Sequence, residues 1–417
     1  MSQPFLLSRR DAISVFLAFA AAYFLSALIR SITATISPAL TAELALGAKD
    51  LGLLAGGYFL GFAATQLPLG HWLDRHGPKR VILSLLFIAV IGCVAFSWAS
   101  GFSGLLLARI LCGVGVSACL MAPLTGYRRW LDSVTLMRAN SWMLMSGSLG
   151  MVASTLPVQW LMPLFGWRAL FMGLAALLAL AMLLIYWQVP AWSKKLMPAL
   201  PRPIGQKPSS SGYDEVWAHP YFRKMAPIGF FTYGGLVAMQ TLWVVPWMTR
   251  VAGYTPIEAA TGLFWLNIGM LVSFWLWGLL SPRLVKRGLN AERLITAGMP
   301  LSFIVLALVI FAAGSLGPWT ALGLTLYCMS CTFVSLAQPS VGMAFPAALA
   351  GRALSAYNLV IFSGVFIIQW GIGLLIDGFR TLGLAEVAAF QAALGVFLVC
   401  CVGSYLHFLL AGGGKKP

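Results

Sequence analysis

Long uninterrupted stretches of apolar residues recur along this chain, and they constrain its fold more than any other feature. Each stretch is long enough to cross a bilayer as a helix, which takes roughly 20 apolar residues. Each is also far longer than a barrel strand and lacks alternation of period two, which argues against a membrane β-barrel. We therefore predict an all-α integral membrane protein with twelve transmembrane helices, at approximately 12–38, 50–73, 81–99, 103–127, 139–163, 167–188, 224–249, 258–281, 292–313, 318–346, 353–376 and 386–411.

The scarcity of charged residues excludes most other classes of protein. Charged residues make up 9% of the 417 residues and hydrophobic residues 60%, whereas soluble domains are about one quarter charged. Four histidines and eleven acidic residues leave few groups for acid–base or metal chemistry. No histidine cluster or nucleophile–base pair supports a membrane enzyme. We therefore expect no enzymatic activity, no cofactor and no metal site.

Basic residues are distributed unevenly between the predicted loops. The net charge is +16, and only Lys49, Arg168, Arg250 and Arg380 fall in loops on the side opposite the N-terminus. Because lysine and arginine accumulate on the cytoplasmic side of membrane proteins, we expect both termini in the cytoplasm. The chain is then a multi-pass protein, expected in a bacterial inner membrane. Membrane topology and anionic lipid head groups account for the positive charge, so we expect no nucleic-acid partner.

A hydrophilic segment divides the twelve predicted helices into two sets of six. Residues 189–223 are rich in proline, serine and basic residues, which is typical of a linker. We predict an N-terminal six-helix bundle at 1–188, a cytoplasmic linker at 189–223 with a short surface helix near 213–219, and a C-terminal six-helix bundle at 224–417. Two pseudo-symmetric bundles around a central cavity are expected of a transporter built by duplication.

The loop after the second predicted helix carries the most specific motif. It reads G-H-W-L-D-R-H-G-P-K-R over residues 70–80, and glycines and charges of this kind suit a tight turn between packed helices. Here the sequence resembles the major facilitator superfamily, whose signature between helices two and three has the form G-x-L-x-D-R-x-G-R-K. The resemblance implies a latch between the two halves, formed by Gly70, Asp74, Arg75, Gly77, Lys79 and Arg80.

Two further motifs carry the same resemblance. Arg109 begins an R-x-x-x-G-x-G pattern in the fourth helix, and Gly166-Trp167-Arg168 resembles the family's entry to helix six. The resemblance covers essentially the whole chain. It implies a monomeric transporter that works by alternating access, with helices one, four, seven and ten around the cavity.

Arg30 and Arg109 are the two charged residues that fall clearly within predicted membrane spans. A charge at this depth is costly, which makes it a functional hypothesis. Arg30 lies on one helical face with Tyr23 and Ser26. No Asp or Glu falls in mid-span, so Arg30 has no evident carboxylate partner. A guanidinium offers a planar fork that fits a carboxylate or phosphate, and we therefore predict that Arg30 binds an anion. An arginine at this position of helix one is similar to that of organic-anion carriers of the family, which implies the same role.

Other polar and aromatic residues complete the predicted substrate-binding site. Some lie at helical spacing in the seventh predicted helix, and others lie in the eighth and eleventh. With Arg30, the predicted substrate-binding residues are Arg109, Tyr23, Gln240, Trp243, Asn267, Tyr357 and Asn358.

The predicted function is secondary active or facilitative transport of a small solute, most simply an organic anion. A co-transported proton and an exchanged anion both remain open as coupling partners. The alternative is a proton-coupled exporter of drugs or other hydrophobic compounds. Exporters of this superfamily carry G-P-x-x-G-G in helix five, whereas residues 146–150 read S-G-S-L-G, which disfavours the alternative.

Overall fold

The computed structural model describes residues 6–192, 212–287 and 289–411, and within these ranges every regular element is helical. The first half contains helix 1 (Arg9–Leu44), helix 2 (Ala48–Ala64 and Gln66–His76), helix 3 (Pro78–Trp98) and helix 4 (Phe102–Val116 and Met121–Trp130). Helix 5 comprises Ser133–Ala153 and continues into the segment Leu156–Gln188. Gly166, at φ 69°, breaks that segment, and helix 6 follows the break.

The second half begins with a short helix and contains six longer ones. The short helix, Gly212–Ala218, lies where the sequence predicted a surface helix. It is followed by helix 7 (Pro220–Arg250), helix 8 (Pro256–Lys286), helix 9 (Ala291–Ala312), helix 10 (Thr320–Cys331 and Ala337–Met343), helix 11 (Ala347–Thr381) and helix 12 (Glu386–Leu410).

Nine helical segments of the described residues are long and apolar enough to cross a membrane. Ala291–Met343 contains both helix 9 and helix 10 and counts once, and neither helix 2 nor Ser133–Ala153 is among the nine. The predicted all-α membrane fold is confirmed.

Helix 1 is longer than the sequence predicted. It continues through Pro38 to Leu44, although proline cannot donate the backbone hydrogen bond that the carbonyl of Ala34 would accept. The hydroxyl of Ser37 donates to that carbonyl at 2.7 Å instead. Because the freed carbonyl finds a local partner, the helix tolerates the proline inside the membrane.

Each half packs chiefly within itself, and a few helices join the two halves. Helix 3 packs against helices 4 and 6, helix 1 against helix 5, and helix 11 against helix 12. Between the halves, helix 2 runs along helix 11, helix 1 contacts helix 7, and helix 8 contacts Ser133–Ala153 and the segment Leu156–Gln188. The division into 1–188, 189–223 and 224–417 stays a prediction, since residues 193–211 of the linker lie outside the described ranges.

Candidate functional site

A cavity of about 450 Å³ lies between the two halves. Its lining comes from helices 1, 2, 4 and 5 on one side and from helices 7, 8, 10 and 11 on the other. The volume falls within the range of small-molecule sites. A solute held here would contact both halves at once, which suits a site that must respond to their relative movement.

Arg30 supplies positive charge to this cavity. Its side chain is half-buried, and Nη2 lies 3.7 Å from Sδ of Met151. The Nε atom is buried and makes no hydrogen bond within the described part of the chain. Two phenols, from Tyr23 and Tyr233, also line the cavity. The guanidinium therefore retains donor capacity that a bound ligand could use.

The acidic residues and histidines lie elsewhere. None of the eleven acids and four histidines, all of which lie within the described ranges, lines the cavity. Several acids pair with basic residues near helix ends instead: Glu43 with Arg168, Glu292 with Lys224, and Glu386 with Arg250 and Arg380. The positive charge of Arg30 is thus uncompensated by the residues that line the cavity.

Two pairs of side-chain amides belong to the uncharged polar part of the lining. Nε2 of Gln240 donates to Oδ1 of Asn267 at 2.8 Å, and Nε2 of Gln338 donates to Oδ1 of Asn358 at 2.6 Å. All four residues belong to the C-terminal half. The C-terminal half therefore contributes two amide pairs, whereas the N-terminal half contributes the cation of Arg30 together with Tyr23, Gln66 and three serines.

Helix 7 is irregular where it reaches the cavity. Two of its turns, Gly229–Tyr233 and Met239–Trp243, are π-helical. Such turns insert extra residues into a helix and are frequent at functional sites. Tyr233 and Gln240, one from each π-helical turn, both line the cavity.

Arg109 lies behind the cavity wall. It is 0% exposed, its Nη1 donates to the carbonyl of Ile29 at 2.9 Å, and its guanidinium lies 5.1 Å from the centre of the Tyr58 ring. Its Nε and Nη2 atoms have no hydrogen-bond partner among the described residues. Because Ile29 precedes Arg30, Arg109 holds the backbone of helix 1 at the point where Arg30 enters the cavity.

The predicted substrate-binding residues divide into two groups. Tyr23, Arg30, Gln240, Asn267 and Asn358 line the cavity. Three others are packed in the walls and do not line it. These are Arg109, Trp243, whose Nε1 donates to the carbonyl of Gln369 at 3.1 Å, and Tyr357, whose hydroxyl donates to the carbonyl of Met225 at 3.3 Å.

Several residues that line the cavity were not among the predicted substrate-binding residues. Gln338 lies beside Pro339 after a 3₁₀ turn in helix 10, Thr332–Leu336. A proline next to a polar side chain in an apolar run was the signal that could have indicated this position. Tyr233 lies seven residues before Gln240, and that spacing was also visible in the sequence.

One end of the bundle is closed by direct contact between the halves. We call it the Asp377 end. The carboxylate of Asp377, on helix 11, accepts hydrogen bonds from the backbone N–H groups of Ala48 at 3.2 Å and Lys49 at 2.9 Å, at the start of helix 2. One turn further, a Cβ added to Gly52 would overlap the carbonyl oxygen of Gln369. Helices 2 and 11 are therefore in backbone contact at this end.

The opposite end, which we call the Gly77 end, contains the predicted latch. Gly77 separates helices 2 and 3 at φ 81°, a value that favours glycine. The side chain of Trp192 packs directly on it, and the guanidinium of Arg129 lies 4.5 Å from the Trp192 ring. Nζ of Lys79 lies 5.2 Å from the Tyr186 ring. The latch residues Gly77 and Lys79 thus contact the end of helix 6 and the segment after it.

The remaining latch residues make no comparable contacts with the described part of the chain. Asp74, Arg75 and Arg80 are exposed, and no ion pair of Asp74 occurs in the described structure. A Cβ on Gly70 would meet nothing within 4 Å. The cavity lining extends towards this end, where Leu144 and Phe274 are 57% and 38% exposed. This exposure indicates that the cavity opens at the Gly77 end.

A second, larger concavity lies away from Arg30. It has a volume of about 900 Å³ and runs between helices 8 and 10, where Trp265 and Trp319 are 60% and 67% exposed. Its lining is mainly apolar, and none of the described residues that line it is basic. Such a groove on the perimeter of a membrane protein suits contact with lipid chains. We therefore take the cavity that contains Arg30 as the candidate site.

Comparison with known families and sequences agrees with this architecture. Residues 19–369 match the family model of the Major Facilitator Superfamily. The chain is 22% identical over 405 residues to a probable sulfoacetate transporter of Cupriavidus necator, covering 94% of this chain and 88% of that protein. It is 29% identical to the 4-hydroxybenzoate transporter of Pseudomonas aeruginosa over 39% of this chain and 37% of that one. It is 25% identical to a gallate transporter of Pseudomonas putida over 60% and 62%.

Solved structures share the fold at low sequence identity. A bacterial homologue of the human lysosomal transporter Spinster, in an inward-facing and unoccupied conformation, superposes with a TM-score of 0.80 at 18% identity, covering 97% of this chain and 98% of that one. A D-xylose–proton symporter gives 0.77 at 14% identity, with 97% and 99% covered.

Proposed function

Because the chain belongs to the Major Facilitator Superfamily and is a small-solute transporter that works by alternating access, we propose that its solute is an organic anion bound by Arg30. The observation that carries the proposal is the uncompensated guanidinium in the cavity between the halves. The relatives named above transport sulfoacetate, 4-hydroxybenzoate and gallate according to their names. All three compounds are organic anions.

The electrostatics of the site favour an anion over a neutral or cationic solute. An isolated charge taken out of water costs several kcal/mol unless an opposite charge accompanies it. Since no carboxylate lines the cavity within the described structure, a carboxylate or sulfonate of the solute would supply that charge. Two oxygens of either group can accept paired hydrogen bonds from one guanidinium.

The remaining lining supports a small, partly aromatic solute with a polar end. Phe62 and Phe362, whose ring centres are 4.5 Å apart, line one side of the cavity together with Phe274. Aromatic rings prefer contacts of this kind. The Gln240–Asn267 and Gln338–Asn358 pairs would bind hydroxyl or other neutral polar groups. We propose that the anionic group lies at Arg30 and the polar end at these amides.

The two ends of the bundle support a two-gate mechanism. The Asp377 end is closed and the cavity lining extends to the Gly77 end. The predicted topology places the Gly77 end and both termini in the cytoplasm, so this conformation would be inward-facing. We propose that the two halves, 1–188 and 224–417, move as bodies, and that the latch of Gly70, Asp74, Arg75, Gly77, Lys79 and Arg80 engages when the Gly77 end closes. A monomer in the bacterial inner membrane is sufficient for this cycle.

A thermal-stability assay on the detergent-purified protein tests the bound solute class. A ligand at 100 times its Kd stabilises the native state by about 2.7 kcal/mol. We expect 4-hydroxybenzoate, gallate or sulfoacetate to raise the apparent Tm of the wild type and of the control Arg380→Ala, but not of Arg30→Ala. Stabilisation of all three proteins by hydrophobic drugs alone would contradict the proposal and support the exporter alternative.

A further inference from the structure

The cavity holds a fixed charge and no group that can carry a proton near neutral pH. A guanidinium remains protonated in proteins, and histidine is the side chain whose ordinary titration falls between pH 5 and 8. The charged and titratable groups nearest Arg30 are Arg109 and the phenols of Tyr23, Tyr58 and Tyr233. No carboxylate or imidazole lines this cavity in the described structure. The site therefore lacks a side chain that could couple transport to a proton.

The charge of Arg30 gives the empty carrier and the loaded carrier different barriers to closure. Alternating access requires a moment at which both ends are closed, and closure removes water from around Arg30. With a monoanion bound, its charge compensates that of Arg30. Without one, a cation is enclosed in a cavity whose adjoining wall contains a second buried cation, Arg109. Enclosing an uncompensated cation is unfavourable, so the empty carrier has the higher barrier to closure.

We propose that the protein is an anion exchanger, in which closure and reorientation occur only when an anion occupies the site at Arg30. The inference rests on the proposed function and adds the coupling partner: a second small organic anion of the same charge, carried in the opposite direction. One negative charge cancels Arg30, so the exchange is one-for-one between monoanions and moves no net charge. A protonated, neutral acid leaves Arg30 uncompensated and is not carried.

Reconstituted liposomes distinguish exchange from the other coupling modes. The probes are radiolabelled 4-hydroxybenzoate and gallate, both monoanions near neutral pH, offered to liposomes that are empty or preloaded with the same unlabelled anion. We expect initial uptake at least tenfold faster into preloaded liposomes, a ratio that corresponds to about 1.4 kcal/mol. We also expect no effect of a pH gradient, or of a potassium diffusion potential when 4-hydroxybenzoate is exchanged for itself.

The outcomes separate failure of the inference from failure of the proposed function. Equal uptake into empty and preloaded liposomes, or uptake accelerated by an acidic exterior, would overturn exchange while leaving an anion transporter. Uptake of neither probe in any preparation, together with no thermal stabilisation by either, would overturn the proposed function and the inference with it.

Replacing Arg30 with an uncharged residue gives a second test. Arg30→Gln keeps a polar side chain but removes the cation, and with it the barrier that blocks the empty carrier. We expect slow uptake that no longer depends on the internal anion, so that the preloaded-to-empty ratio falls towards one. Arg380→Gln, at an exposed arginine, should keep the ratio of the wild type. A wild-type ratio in Arg30→Gln would contradict the proposal.

Discussion

The carboxylate of Asp377 accepts a hydrogen bond from the backbone N–H of Lys49 at 2.9 Å, across 328 residues of sequence. The first N–H groups of a helix have no partner within the helix and carry a partial positive charge. Asp377, near the end of helix 11, therefore caps helix 2, which belongs to the other half. This contact exists only while the Asp377 end is closed, and it stabilises the conformation described here.

Removing this cap should open the Asp377 end more often. Loss of a capping side chain costs about 0.5–2 kcal/mol, so Asp377→Ala should shift the conformational population by roughly twofold to thirtyfold. Spin labels at Ser103→Cys and Ile257→Cys, at the starts of helices 4 and 8, measure the distance between the two halves. Asp50→Ala is the matched control, because Asp50 accepts from Gly47 within its own half at 3.2 Å. Identical distance distributions in both variants would contradict a gating role for Asp377.

The close approach of helices 2 and 11 should be intolerant of any side chain at Gly52. The Cβ of Gly52→Ala would overlap the carbonyl oxygen of Gln369, and overpacking of this kind costs about 1–3 kcal/mol. We expect transport to fall roughly tenfold, because closure at the Asp377 end becomes unfavourable. Gly371→Ala in helix 11 is the control, since a Cβ there meets nothing within 4 Å. Equal uptake by the two variants would show that the contact does not limit the cycle.

Arg109 should contribute to anion binding without contributing to stability. Two of its three guanidinium nitrogens are buried without a partner among the described residues, and burying such a charge is unfavourable. Arg109→Met fills similar space without the charge. We expect an unchanged or raised Tm of the ligand-free protein, with a weaker affinity for the anion. A fall in Tm of more than about 5 °C would mean that the bond to Ile29 stabilises the fold, since roughly 1 kcal/mol shifts Tm by 2–4 °C in larger domains.

The amide pairs should select for a polar group on the solute. Gln240→Leu removes the partner of Asn267, and a site built to bind a hydroxyl loses that preference when the amide is lost. We expect the affinity for 4-hydroxybenzoate to fall about tenfold and the affinity for benzoate to change little. Competition of each compound against radiolabelled 4-hydroxybenzoate measures both. An equal loss of affinity for 4-hydroxybenzoate and benzoate would show that the amide of Gln240 does not contact the hydroxyl of 4-hydroxybenzoate.

Features determined by local chemistry were predictable from the sequence. An arginine in an apolar run with no acid nearby indicated a functional charge, and Arg30 does line the cavity. The long apolar runs predicted the helices, because the bilayer core leaves few alternatives to them. The motif at 70–80 indicated the family whose model matches residues 19–369.

Features that depend on helix register and on contacts distant in sequence were not predictable. In a regular helix, Gln240 and Trp243 share a face, and both were predicted to contact the solute. The turn Met239–Trp243 is π-helical, and Trp243 donates to the Gln369 carbonyl instead. Periodicity also cannot show that Asp377 meets Lys49, since that contact depends on how the two halves pack.

Transport by Arg30 variants tests the central claim most directly. The measurement is uptake of radiolabelled 4-hydroxybenzoate and gallate into liposomes preloaded with the same anion, for the wild type, Arg30→Lys, Arg30→Ala and the control Arg380→Ala. If Arg30 binds the anion, the control transports as the wild type does, Arg30→Lys keeps part of the activity because it keeps the charge, and Arg30→Ala keeps almost none. Full transport by Arg30→Ala would contradict the account.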